Sequence, residues 1–260
     1  MLVSVLRLPT PCLASACRLA PVVLLSSCSD DDSEATPAAP AVVTFTQAGL
    51  YPEGVQYDAA NSRFLVTSLT TGRVGQVKDD GTYSTAFPDD PKLVSAIGIY
   101  LDEPRNRVLV AISDPGTNAA RTTTATQGKL ARLAIFNRSA PTAAPVVVEL
   151  GTLRPNVGHF ANDIAVDNAG NAYVTDSFAP IIYKMDLQGV ATVFLEDPRL
   201  SGGTGFGLNG IVFHPDGYLL VAKSDEGKLF KIPLAAPSTF TTVATSQNLM
   251  AADGLLLQDN

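Results

Sequence analysis

One short phrase, used five times, limits this chain more than any other feature. It reads Glu53-Gly54-Val55-Gln56-Tyr57-Asp58, then Ile97-Gly98-Ile99-Tyr100-Leu101-Asp102, then Asn162-Asp163-Ile164-Ala165-Val166-Asp167. The fourth copy is Asn209-Gly210-Ile211-Val212-Phe213-His214 and the fifth Asp253-Gly254-Leu255-Leu256-Leu257-Gln258. Their starts lie 44, 65, 47 and 44 residues apart. After each of the first four comes a turn and a second apolar run: Phe64-Leu65-Val66, Val108-Leu109-Val110, Ala172-Tyr173-Val174 and Tyr218-Leu219-Leu220. Third runs follow, as in Ile181–Met185 and Lys228–Ile232. Fourth runs lie at Thr82–Phe87, Val190–Leu195 and Thr239–Thr245. Four short strands in about 45 residues is the pattern of a β-propeller blade. No segment sustains a 3.6-residue apolar period, so the expected fold is all-β and nearly free of helix.

The interval of 65 residues holds a surplus, which two polar tracts can absorb, Asp114–Gly128 and Asn137–Pro145; both are expected as surface excursions. A six-bladed ring needs about 270 residues at this period, whereas Val42 to Asn260 supplies 219. The expectation is therefore a six-bladed propeller type, C-terminally incomplete, with four complete blades and the first strand of a fifth. Its domain runs from residue 42 to residue 260. The strand Val42–Thr46, which in such rings joins the last blade, would lack its usual partners.

Composition narrows the chemistry. Lys and Arg number 18 against 25 Asp and Glu, a formal charge of -7, so no basic field exists to hold a nucleic-acid backbone. Cys12, Cys17 and Cys28 all lie near the N-terminus, which leaves no thiolate in the body for a metal or a nucleophile. His159 and His214 are the two histidines, too few for a three-histidine zinc site. No run of 18 apolar residues occurs.

Residues 1–27 carry Arg7 and Arg18, no acid, and an apolar stretch from Leu19 to Leu25, the pattern of an export signal. Leu25-Ser26-Ser27-Cys28 resembles a bacterial lipobox, which implies lipidation at Cys28. A plain cleaved leader or a misassigned start would leave the same pattern. Residues 28–41, acidic and then Ala/Pro-rich, read as a solvated tether. The expected location is the cell envelope or the exterior, with contact to the membrane only through the lipid, and the expected state is a monomer.

In a propeller the first strand of each blade lines the central channel, so the residue opening each phrase takes an equivalent place around it. Those residues are Glu53, Ile97, Asn162, Asn209 and Asp253, four of them oxygen-bearing. Two carboxylates with two amide carbonyls make a hard, all-oxygen set that suits Ca²⁺. Asn and Asp before Gly also suit ordinary turns, although a turn does not call for Glu53 or for one offset kept in four copies.

The order Glu-Gly, Asn-Asp, Asn-Gly, Asp-Gly at blade spacing resembles the senescence-marker-protein (regucalcin)/gluconolactonase/luciferin-regenerating-enzyme family and the related paraoxonase-like calcium phosphotriesterases. The resemblance covers roughly residues 43–260 and rests on these spaced residues. It implies Glu53, Asn209 and Asp253 as metal ligands, Asn162 as a further ligand or substrate contact, and Asp253 also as the general base. The implied activity is hydrolysis of a small lactone or related ester, with Ca²⁺ as Lewis acid. A carboxylate beside the metal, or His159 three residues before Asn162, would take the proton from water. A propeller that binds a ligand or partner without turnover, or an inactive relative, is the alternative. Gly205-Phe206-Gly207-Leu208-Asn209-Gly210 fits G-x-G-x-x-G, but a strand pattern follows it, which argues against dinucleotide binding. Asp176-Ser177 and Ser224-Asp225, at the ends of second strands, are expected to bond between blades.

Overall fold

The computed structural model describes residues 2–6, 40–203 and 205–258. Leu2–Leu6 (β1) pairs antiparallel with Val42–Thr46 (β2). Cys28, the cleavage region and most of the expected tether lie outside the described residues. The strand β2 therefore has β1 beside it, and Val43 and Phe45 turn inward onto Phe64, Val66 and Val77 of the first blade.

Four blades follow. The first is Val55–Asp58 (β3), Arg63–Thr67 (β4), Val74–Lys78 (β5) and Tyr83–Thr85 (β6). The second is Ser95–Asp102 (β7), Arg107–Ser113 (β8), Lys129–Asn137 (β9) and Val146–Glu149 (β10). The third is His159–Val166 (β11), Ala172–Asp176 (β12), Ile181–Met185 (β13) and Ala191–Glu196 (β14). The fourth is Leu208–His214 (β15), Tyr218–Lys223 (β16), Lys228–Pro233 (β17) and Thr241–Thr242 (β18). Each is an antiparallel meander, and the only helical elements among the described residues are three-residue 3₁₀ turns. A short parallel pairing of β11 with β9 joins the second and third blades.

The core sits in the seams between blades. Leu65 and Val74 of the first blade meet Ile99, Val108 and Val110 of the second. Leu109 and Leu133 meet Ile164, Val174 and Tyr183, and Tyr173 and Ile182 meet Ile211, Leu219 and Val221. Each such side chain, fully buried, contributes about 1.5–3 kcal/mol. A blade alone cannot bury both its faces, so the seams hold the arc together.

The phrase explains its own composition. Its closing aspartates are buried corners. Asp58 accepts from Asn61 and Arg63 and pairs with Arg138, and Asp102 pairs with Arg105 and Arg107. Asp167 accepts from Asn171 and the Tyr173 hydroxyl. In the fourth blade His214 takes this place, and its Nδ1 accepts the Asp216 N–H at 3.2 Å, a turn role. The glycines in second position sit where neighbouring inner strands converge. A Cβ on Gly54 would stand 2.6 Å from the Ile97 carbonyl oxygen, on Gly98 2.4 Å from that of Asn162, and on Gly210 2.3 Å from that of Asp253.

Two expectations are refined. The tract after β8 runs over the surface as expected but is anchored at two points, where Asp114 and Asn118 are buried. Asp114 accepts from Gly116, Thr122 and Thr126, and Asn118 donates to the Val94 carbonyl at 2.6 Å. The fifth phrase runs beside β15, with Gly210 N–H donating to Asp253 carbonyl at 3.1 Å, but forms no strand of its own because no second strand pairs with it among the described residues.

Candidate functional site

The opening residues of the phrases gather through a local irregularity of the inner strands. In the second, third and fourth blades the register slips between Ala96 and Ile99, Ala161 and Ile164, and Leu208 and Ile211. Two residues there oppose one: Ile97-Gly98 against Ala111, Asn162-Asp163 against Thr175, Asn209-Gly210 against Ala222. Such bulges re-aim side chains out of the strict alternation of a strand. Asn162 and Asn209, at two of these bulges, line a shared cavity, whereas Ile97 is fully buried in the seam between the second and third blades.

Glu53, Asn162, Asn209 and Asp253 line one cavity of about 490 Å³, together with Asp163 and apolar residues such as Ile99, Ile164 and Ile211. No Lys, Arg or His lines it. The sequence-expected donors are thus brought together. Asp163 was not among them, because beside Asn162 it reads as half of a turn pair. The available signal was that it alone replaces glycine at the second position of the phrase.

Asp163 Oδ1 accepts the Ile164 N–H at 2.8 Å and Oδ2 accepts the Ile211 N–H at 3.1 Å. Its carboxylate thereby spans two inner strands. Burial pushes its pKa up to about 6, with the Asp253 charge adding and the two N–H donors opposing. Glu53 is exposed to solvent, and protein packed around it, then the charges of Asp253 and Asp163, raise its pKa to about 8. Asp253 itself stands on an exposed segment.

The two amides are tied back. Asn162 donates Nδ2–H to Ser177 Oγ at 2.8 Å, and Asn209 donates to Ser224 Oγ at 3.1 Å. The serines in turn bond across seams, Ser177 to the Leu208 carbonyl and Ser224 to that of Ala252, as the sequence led us to expect, whereas the aspartates beside them bond within their own blades, Asp176 to His159 and Tyr183 and Asp225 to Lys223.

His159 is elsewhere. It is buried at the start of β11, with Nδ1 2.7 Å from Asp176 Oδ2 and 3.1 Å from the Tyr183 hydroxyl, and Nε2 2.8 Å from the Arg154 carbonyl. Burial opposes its charge, but the Asp176 hydrogen bond and charge outweigh it and hold the imidazole above its usual pKa. Both ring nitrogens are engaged, and His159 does not line the cavity.

An oxygen-seeking cation fits this site by composition. Three carboxylates share a cavity without a lining cation, and the two lining amides spend their Nδ2 groups on serines. Among the described residues, no three His, Cys, Asp or Glu side chains stand close enough to form a ready-made metal cluster. Any such ion would therefore depend on the amides as well as on the acids.

No protein-family model and no curated protein matches the chain in sequence. Solved structures match in fold. One is a streptogramin B lyase, at 11% identity and a TM-score of 0.59, covering 80% of this chain and 59% of the lyase. Another is a structural-genomics target described as a candidate gluconolactonase, at 14% identity and a TM-score of 0.55, covering 80% of this chain and 69% of that one. A third is a protein of unknown function from Bacteroides thetaiotaomicron, at 17% identity and a TM-score of 0.52, covering 72% of this chain and 42% of that one. The chain spans less than two thirds of the length of the lyase. At these identities the likeness is one of fold, and the fold is of the β-propeller type.

Proposed function

We propose that the chain is a metal-dependent hydrolase of a small lactone or related ester. The observation that carries this reading is the meeting, in one cavity, of four oxygen-bearing side chains from separate phrases with no basic residue among the lining. Glu53, Asn162, Asn209 and Asp253 would hold Ca²⁺ or a similar hard cation. When bound, it would supply Lewis acidity toward a carbonyl or phosphoryl oxygen.

The remaining work falls to the chain's own groups. Asp253, an exposed carboxylate of the set, takes the proton of the attacking water. Asn162 orients the substrate or completes the ligand set. The apolar wall of Ile99, Ile164 and Ile211 limits water around the scissile bond. His159 receives no part, because its ring nitrogens are spent on Asp176 and Arg154. The resemblance to a lactonase family and the fold shared with a candidate gluconolactonase support the reaction class.

The test is proton release from simple lactones, followed by pH-stat with Ca²⁺ and then with chelator. The expected result is turnover that chelation stops and that Asp253→Ala abolishes. Unchanged turnover in Asp253→Ala would remove the assignment, and ligand binding without turnover in the wild type would favour a non-catalytic propeller.

A further inference from the structure

Ser177 and Ser224 each perform two bonds with one hydroxyl. Ser177 Oγ donates to the Leu208 carbonyl at 2.6 Å and accepts Asn162 Nδ2–H at 2.8 Å. Ser224 Oγ donates to the Ala252 carbonyl and accepts Asn209 Nδ2–H at 3.1 Å. A carbonyl can only accept, so the single hydroxyl proton is committed to the next stretch of inner chain. What faces the asparagine is a lone pair. An amide set against a lone pair must present N–H, since the flipped amide would place oxygen against oxygen with no proton between them. Both asparagines line the cavity, so both Oδ1 atoms are left to face it.

The second blade provides a contrast within the same molecule. Ser113 Oγ makes the corresponding seam bond, to the Ala161 carbonyl at 2.9 Å. The residue at the asparagine position there is Ile97, buried and apolar. The seam bond thus recurs in three blades, while the amide bond is present only where the phrase opens with asparagine.

We infer that Ser177 and Ser224 are positioning residues that fix the amide oxygens of Asn162 and Asn209 toward the cavity and so set its affinity for a hard cation. The cation part rests on the proposed function; the amide orientation does not. Outer partners of ligands commonly govern metal affinity by tenfold to a hundredfold.

The variants are Ser177→Ala and Ser224→Ala, with Ser113→Ala removing a seam bond that holds no amide. In the cation-free protein, the side-chain amide protons of Asn162 and Asn209 should exchange slowly by ¹⁵N NMR. Each should lose that protection in its own serine variant and keep it in Ser113→Ala. Calorimetric titration with Ca²⁺ should show Kd rising about tenfold or more in Ser177→Ala and Ser224→Ala, little change in Ser113→Ala, and recovery in Ser177→Thr. Where an alanine variant fails to fold, Ser177→Cys, a weaker acceptor of similar size, should give an intermediate loss. Unaltered amide exchange, or an equal loss of affinity in Ser113→Ala, would overturn the proposal. A wild type that binds no Ca²⁺ would sink the hydrolase reading, and the exchange data would still decide the orientation.

Discussion

Asp163 Oδ2 accepts the backbone N–H of Ile211 at 3.1 Å, across the seam between the third and fourth blades. Where other phrases place a glycine against the neighbouring inner strand, this one places a carboxylate that bonds to it. A residue that looks like a solvent-facing turn acid is therefore part of the frame that positions Asn162 and Asn209.

Replacing Asp163 by Ala should accordingly cost stability before it costs chemistry. It strands the N–H groups of Ile164 and Ile211, each worth about 1–3 kcal/mol when left unpaired and buried. Denaturant titration should show a loss of that size. A variant as stable as the wild type would mean that water replaces the carboxylate at the seam.

Gly210 and Gly254 make a matched pair. A Cβ on Gly210 would stand 2.3 Å from the Asp253 carbonyl oxygen, whereas one on Gly254 meets nothing within 4 Å among the described residues. Gly210→Ala should push the Asp253 segment off β15, destabilise by about 1–3 kcal/mol and weaken any cation site. Gly254→Ala should leave both nearly unchanged. Thermal melts and Ca²⁺ titrations of the two variants check this.

Glu53 sets a pH dependence. Its folded pKa, about 8, lies above its ordinary value of 4.5. Its contribution is therefore fully present below about pH 4.5 and is lost as pH rises through 8. Without divalent cations, Tm should decline over this window, modestly because water in the cavity screens the charge. Glu53→Gln should flatten the decline, and so should Ca²⁺. A Tm profile identical in Glu53→Gln would contradict the assignment of this strain to Glu53.

His159 predicts stability rather than turnover. Because Asp176 holds its imidazole above the usual pKa, its contribution is present below about pH 6.5 and is lost as pH rises through the raised value. His159→Gln should lower stability by on the order of 3 kcal/mol, as for a broken buried pair, and should leave kcat of the folded protein nearly intact. A collapse of kcat with little loss of stability would return His159 to the catalytic set.

The repeat was legible because inner strands pass close to their neighbours, which favours the shared glycine, and because buried corners favour the hydrogen-bonding aspartate that closes three of the phrases. The gathering of Glu53, Asn162, Asn209 and Asp253 around one cavity was legible because they hold equivalent positions in the repeat. Asp163 was not, since its partner across the seam, the Ile211 N–H, lies 48 residues away and sequence does not display it. The bulges at Ile97-Gly98, Asn162-Asp163 and Asn209-Gly210 were equally hidden, because a two-against-one pairing changes register without changing composition. The place of His159 was not legible, because three residues separate it from Asn162, yet bonds to Asp176 and Arg154 hold it outside the cavity lining. The tract from Asp114 runs over the surface as expected, and its anchoring was hidden, because Thr122 and Thr126 bond inward to the buried Asp114.

Anomalous scattering from crystals equilibrated with a lanthanide in place of Ca²⁺ tests the central claim most directly. The account predicts one strong peak in the cavity, with oxygens of Glu53, Asn162, Asn209 and Asp253 about 2.3–2.6 Å away. A cavity without a peak, or a peak held by other residues, would contradict it.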